Sequence, residues 1–371
     1  MRMSSFPVQH WNFGIGPITC HAWNKDRTCI AVSPSSNEIH IFHWEQGQWK
    51  LTHLLKEHDL PVTGLDWAPN TNRIVSCSQD KSAYVWTFDG TNWKPELVLV
   101  RINRAATCVK WSPLENKFAV GSSEKLVSVC YYGRENDWWI SKQIKKPLRS
   151  TVTCIDWHPD NIILAVGACD MKTRVFSAYV KEVDEKPTPN PWGMKMPFGT
   201  LLCEVKNLGW VHHVAFSPSG CRLIYVDHGS SICLIDTNHS LDEPIVLNTP
   251  FLPFTSVQWI TENSVIAAVR EFQGHDSTPM LFMYTNETLK FVTKLDIPSE
   301  QKSTNTNSAM QKFRNIDRNA ASEALNIKLK TLHQNAIMQI LPHSGRQQNI
   351  QKFTTCGIDG LIALWDIKVC F

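Results

Sequence analysis

No sign of charge predominates in this chain: 37 Lys and Arg face 34 Asp and Glu over 371 residues. That balance argues against a strongly basic nucleic-acid binder and against an acidic solvating tail. Nor does any hydrophobic run approach 18 residues, so no segment is expected to insert into or span a membrane. The start, from Met1 to Gly14, has no apolar stretch of the secretory kind. The twelve cysteines include no C-x-x-C pair, which removes zinc-knuckle and redox motifs and suits reduced thiols in the cytosol or nucleus. The sequons at Asn238 and Asn286 then read as chance.

Catalytic signatures are equally scarce. Gly14-Ile15-Gly16 lacks the third glycine and the following helix of a dinucleotide site, and there is no Walker A, G-x-S-x-G or H-E-x-x-H. His212 and His213 alternate across a strand and are not expected to share a metal. The expectation is no catalytic residue, no metal and no cofactor.

What the chain does have is apolar and aromatic material. Its 43% hydrophobic content supports a large core, and 15 Trp beside 20 Pro and 17 Gly favour strands and turns over a helical bundle. A short strand ending in an aromatic, often followed by x-Pro, recurs along the chain. The copies end at Trp23, Trp67, Trp111, Trp157, Phe216 and Trp259, with a degraded copy at Ile340; the spacings are 44, 44, 46, 59, 43 and 81. A trailing pattern of alternating apolar residues around a polar turn follows each anchor, as in Ile74 to Trp86, Leu164 to Phe176 and Phe353 to Asp366. With the excess of the two long intervals set aside, seven units of about 45 residues remain, the length of a four-stranded WD-type blade. One blade cannot bury both its faces alone, whereas a closed ring of blades can, without capping repeats. The expected fold is therefore all-β: one seven-bladed WD40 β-propeller over residues 1–371.

Two units carry the polar signature of such blades. His58, Ser76 or Ser78, Asp80 and Trp86 in the second, and His333, Thr355, Asp359 and Trp365 in the last, are placed to form a buried Asp-His-Ser/Thr-Trp hydrogen-bond chain. Their recurrence at equivalent repeat positions favours a structural role over catalysis or metal binding. The last unit ends soon after Asp366, too early for its own outer strand. The segment Phe6 to Asn12 is expected to supply that strand and latch the ring.

The interruptions of the repeat are informative. The long fifth interval carries Pro187, Pro189, Pro191 and Pro197, with Trp192 and Phe198 either pinning the loop to its own blade or anchoring a partner; pinning is the favoured reading. The larger insertion, 298–331, contains a capping-box signal (Ser308, Gln311) and then Met310, Phe313 and Ile316 at three-residue steps. It predicts a short amphipathic helix before the last blade, with Arg314 and Asp317 among its polar positions. Its apolar stripe either lies on the propeller or docks in a partner's groove. Arg101 and Arg104, then Lys145, Lys146 and Arg149, precede the first strands of units three and four and are expected to neighbour one another on one rim. They form either ordinary solvated turns or a site for an acidic peptide or subunit face.

RINRAAT (Arg101 to Thr107), WSPLENKFAVGS (Trp111 to Ser122), ENDWW (Glu135 to Trp139), PWGMKMPFG (Pro191 to Gly199), SAMQKFRNID (Ser308 to Asp317) and TLHQN (Thr331 to Asn335) together resemble the WD-repeat subunit family of the actin-related protein 2/3 complex. The similarity runs through both insertions and covers essentially the whole chain. The resemblance implies a non-enzymatic subunit of the cytoplasm and actin cytoskeleton. Its implied partners are the other subunits of the complex, the actin filament, and the acidic, Trp-bearing tails of nucleation-promoting factors. It also implies that the inserted helix, Ala309 to Asp317, reaches towards the mother filament or a groove near actin, with Met310, Phe313 and Ile316 as apolar contacts. The competing reading is a WD40 adaptor of a chromatin or ubiquitin-ligase assembly. The ligase form is disfavoured because Trp365-Asp366 is followed by Ile367-Lys368 rather than x-Arg.

Overall fold

All seven anchors fall on strands that line a central channel. In the computed structural model, residues 6–135, 137–269, 277–295, 331–346 and 348–367 are described. The inner strands are Cys20–Trp23, Val62–Ala68, Ala106–Trp111, Val152–Trp157, Val211–Phe216, Phe254–Thr261 and Ile337–Arg346. Each opens an antiparallel unit. Five units are separate four-stranded sheets; the sixth and seventh are joined into one eight-stranded sheet by a single bridge, Thr261 to Asn349. The ring thus has seven blades. The helix expected within 298–331 lies outside the described residues.

The last blade is completed from the far end of the chain. Phe6–Asn12 pairs antiparallel with Leu361–Asp366, in a register that sets Phe6 against Asp366 and Asn12 against Leu361. Strand-period alternation explains why blades stack. In the second blade Ile74 and Trp86 pack towards the first blade, while Val75, Cys77 and Val85 pack towards the third. Every seam between neighbouring blades holds its own apolar cluster. The closing seam is filled as well: Ile18, Trp23, Ile30, Val32 and Phe42 of the first blade meet Cys356 and Ile362 of the last, with Trp11, Phe13 and Trp49 packed against them. A continuous apolar belt through seven seams is what makes the ring closed rather than an open stack.

Polar contacts fasten the same seams. Six of the seven inner strands carry a bulge near their start, and four of the bulged residues are threonines. Thr63, Thr107, Thr153 and Thr255 each donate a hydroxyl to the carbonyl that opens the next blade: Ala106, Val152, Val211 and Ile337. Indole N–H groups reach back across the seams, Trp157 to Lys110 O at 3.0 Å and Trp259 to Ala215 O at 2.9 Å. The closing seam has its own ties: His21 N donates to Gln339 Oε1 and Trp23 Nε1 to Thr354 Oγ1.

Candidate partner-binding surface

The two polar chains expected inside the blades are formed. In the second blade Trp86 Nε1 donates to Ser76 Oγ at 2.9 Å, His58 Nε2 lies 2.8 Å from the same hydroxyl, and His58 Nδ1 lies 2.9 Å from Asp80 Oδ2. Ser78, the alternative, instead donates to Leu60 O. Burial holds His58 below the usual histidine pKa against the pull of Asp80. Burial also raises the Asp80 carboxyl, but hydrogen bonds from Ser82 and the contact with His58 outweigh it and leave it below the usual range. In the last blade Trp365 Nε1 donates to Thr355 Oγ1 at 2.9 Å, His333 Nε2 lies 2.8 Å from that oxygen, and His333 Nδ1 lies 3.1 Å from Asp359 Oδ2. These histidines and carboxylates spend their bonding capacity on one another and on the backbone.

The basic residues are exposed on loops that lead into the inner strands of the third and fourth blades. Glu124 draws two of them together. Its carboxyl is held below the usual range by the Asn103 backbone N–H and side-chain amide, and further by Lys145 and Arg104. Arg101 is tied beside them, its carbonyl accepting from Gln143 Nε2 at 2.7 Å. Arg149 stands over the next blade, its backbone N–H donating to Asp170, whose carboxylate is gripped on both oxygens by buried Arg174. Lys146 is exposed between them.

An apolar patch continues this surface onto the fifth blade, and the sequence pattern does not single it out. Leu208 is 73% and Trp210 51% exposed, beside half-exposed Met171. Asn207 N donates to Met171 O and His228 N to Trp210 O, so both loops are fixed rather than splayed. The available signal is Leu208-Gly209-Trp210, which stands outside the alternation of the strand that follows.

The proline-rich loop is pinned to its own ring. Trp192 is 2% exposed, donates Nε1 to Gly220 O at 2.8 Å, and shares a cluster with Met196 and Phe216. Its entry is locked by Asp184, which accepts from Lys117 Nζ, Asn116 and Asn161 side-chain amides and Val180 N. Met310, Phe313, Arg314, Ile316 and Asp317 lie outside the described residues.

Polar groups also converge on the channel, in the walls of two cavities of about 450 and 550 Å³ that share Asp66, Lys110 and Gln258. Their geometry is that of further seams. Asp66 Oδ2 accepts from Trp111 N at 2.7 Å, Asp156 Oδ2 accepts from Phe216 N at 2.6 Å, and Lys110 Nζ donates to Asp156 Oδ1 at 2.6 Å. Among the described residues, no group of three or more His, Cys, Asp or Glu has metal-binding geometry. The eleven described cysteines form no disulfide.

Three histidines of the inner strands, His21 buried and His213 and His343 partly buried, give the fold a pH dependence. Burial lowers His21 from 6.5 to about 3, and His213 and His343 to about 4. Unfolded histidines take up protons near pH 6.5 while these stay neutral, so stability is full above 6.5 and falls with pH towards 4. The urea midpoint is expected to drop markedly between about pH 7 and about pH 5. Equal midpoints would contradict the assignment.

Seven four-stranded blades, the second and the last with an internal Trp-Ser/Thr-His-Asp chain, define a WD-repeat propeller, and the WD domain, G-beta repeat family model matches residues 49–87 and 142–177. The chain is also 54% identical over 360 residues to actin-related protein 2/3 complex subunit 1A-B of Xenopus laevis, covering 96% of this chain and 95% of that protein. It is 40% identical to actin-related protein 2/3 complex subunit 1 of Schizosaccharomyces pombe, over 94% of this chain and 96% of that one. Against subunit 1B of Arabidopsis thaliana it is 38% identical over 95% of this chain and 94% of that one. The chain belongs to the actin-related protein 2/3 complex subunit 1 family.

Proposed function

We propose that this chain is a non-catalytic scaffold subunit of the actin-related protein 2/3 complex, supporting nucleation of branched actin filaments in the cytoplasm. The observation that carries the reading is likeness to the subunit 1 proteins over nearly the full length of both chains. On this reading residues 1–371 form one propeller domain, with 298–331 inserted between the sixth and seventh blades. Its first partners are the other subunits of the complex. Met310, Phe313, Arg314, Ile316 and Asp317 of the insert contact the actin filament.

Acidic tails of nucleation-promoting factors dock on Arg101, Arg104, Lys145, Lys146 and Arg149. Two features support this assignment: the basic loops converge on neighbouring blades, and exposed Leu208 and Trp210 lie beyond them. A peptide carrying carboxylates and one aromatic side chain matches both parts of that surface.

Changing Lys145, Lys146 and Arg149 to Glu should weaken binding of such a peptide at least about tenfold at low ionic strength, and the difference should shrink as salt is added. Unaltered affinity at low salt would dismiss the assignment.

A further inference from the structure

His212 departs from a device that four of the other inner strands share. It occupies the bulge position where four other blades place a threonine that fastens the next seam. Its ring faces the turn that follows the second strand of its own blade, Arg222–Asp227. Its Nε2 lies 3.1 Å from Nδ1 of His228, at the mouth of the channel. A residue that departs from a repeated structural device marks a place to look for function.

We infer that His212 and His228 form a binding site for one divalent transition metal, Zn²⁺ or Cu²⁺, completed by water. In the free pair one ring nitrogen donates its proton to the other. A metal held by two imidazole nitrogens at about 2.0–2.1 Å in tetrahedral geometry needs those nitrogens about 3.3 Å apart, so the pair opens by about 0.2 Å and each ring turns by about 35° to aim its nitrogen at the metal. Both rings bind as neutral imidazoles. The ring that donates in the free pair moves its proton to its outer nitrogen, and no net proton is released.

The frame around the pair is set before any metal arrives. His228 N donates to Trp210 O at 2.8 Å, and the two rings lie 5.5 Å apart at an interplanar angle of 30°. The neighbouring His213 is not a ligand. Its Nδ1 faces Val257 N across the seam to the sixth blade. The site joins two strand ends of one blade, where a bound metal stiffens the channel mouth.

The test is titration of the full chain with Cu²⁺ alone and with Zn²⁺ alone, in wild type, His212→Gln, His228→Gln and the double variant. One equivalent of Cu²⁺ should bind with a two-nitrogen pattern in electron paramagnetic resonance. Each single variant should lose at least about tenfold in affinity. All variants should keep the wild-type melting temperature in chelator, which separates loss of the site from loss of the fold. Equal binding by the double variant, or no binding below about 1 mM metal, overturns the inference.

Discussion

A chain lacking residues 1–14 should melt at least about 10 °C below the full chain. The deletion removes the outer strand of the last blade, leaving Leu361–Asp366 as an open edge. It also removes Trp11, whose ring lies 5.7 Å from Trp49, 6.2 Å from Trp44 and 6.4 Å from Trp23, all edge-on. Phe13 goes too, stacked on Phe42 at 4.3 Å. Two large aromatics contribute about 1.5–3 kcal/mol each when fully buried, and these are half-buried. The ladder to the last blade adds to that, and loss of ring closure acts on the whole belt. Trp11→Ala, which keeps the strand but not the indole, should fall between the two. A melt unchanged by the deletion would mean that another segment closes the ring.

Asp184→Ala should cost about 3–5 kcal/mol, the usual loss when one member of a buried ion pair is removed. Lys117 is fully buried and Asp184 nearly so. Burial lowers the Lys117 amine to about 8 even with Asp184 opposing it. Without the carboxylate, the ammonium keeps only the face of the Trp157 ring, 5.3 Å away. The amine then loses its proton more readily in the folded state than in the unfolded one. The destabilisation is therefore full at low pH and is relieved as pH rises, a direction that urea unfolding at two pH values checks. Val180 N and two asparagine amides lose their acceptor as well, so cleavage by trypsin at Lys181 should quicken. Replacing both partners with apolar residues should recover most of the loss. No recovery would show that Asp184 acts through its amide contacts rather than through the charge.

Much of the ring was legible because its signals are periodic. An anchor such as Trp67 or Trp111 repeats whenever the same inner-strand environment repeats, so seven anchors mark seven strands. The outer strand from Phe6 to Asn12 was legible by elimination, since the last unit lacked one. The tetrads were legible as residue types, but the choice between Ser76 and Ser78 was not. Both lie on one face of the strand, and only the position of the His58 ring separates them. Pairs that depend on distant loops left no pattern. Lys117 and Asp184 are far apart in sequence, and a lysine on a second strand reads as solvent-facing until the loop that covers it is placed. Asp66 and Asp156 recur at one repeat position, yet their work on the next blade's backbone is visible only in three dimensions. Leu208 and Trp210 escaped notice because an apolar residue in a short connection looks like part of the next strand.

The pairing of Phe6–Asn12 with Leu361–Asp366 has a consequence for biosynthesis. A strand made early cannot find its mate until one more than 300 residues later in the chain has been made. At about 5–20 residues per second that wait is on the order of 20–70 s. During translation the nascent chain carries a sticky leading strand and a growing row of half-covered sheets. Closure is therefore a single late event, which makes the newborn polypeptide a natural client for a chaperone that shelters it until release.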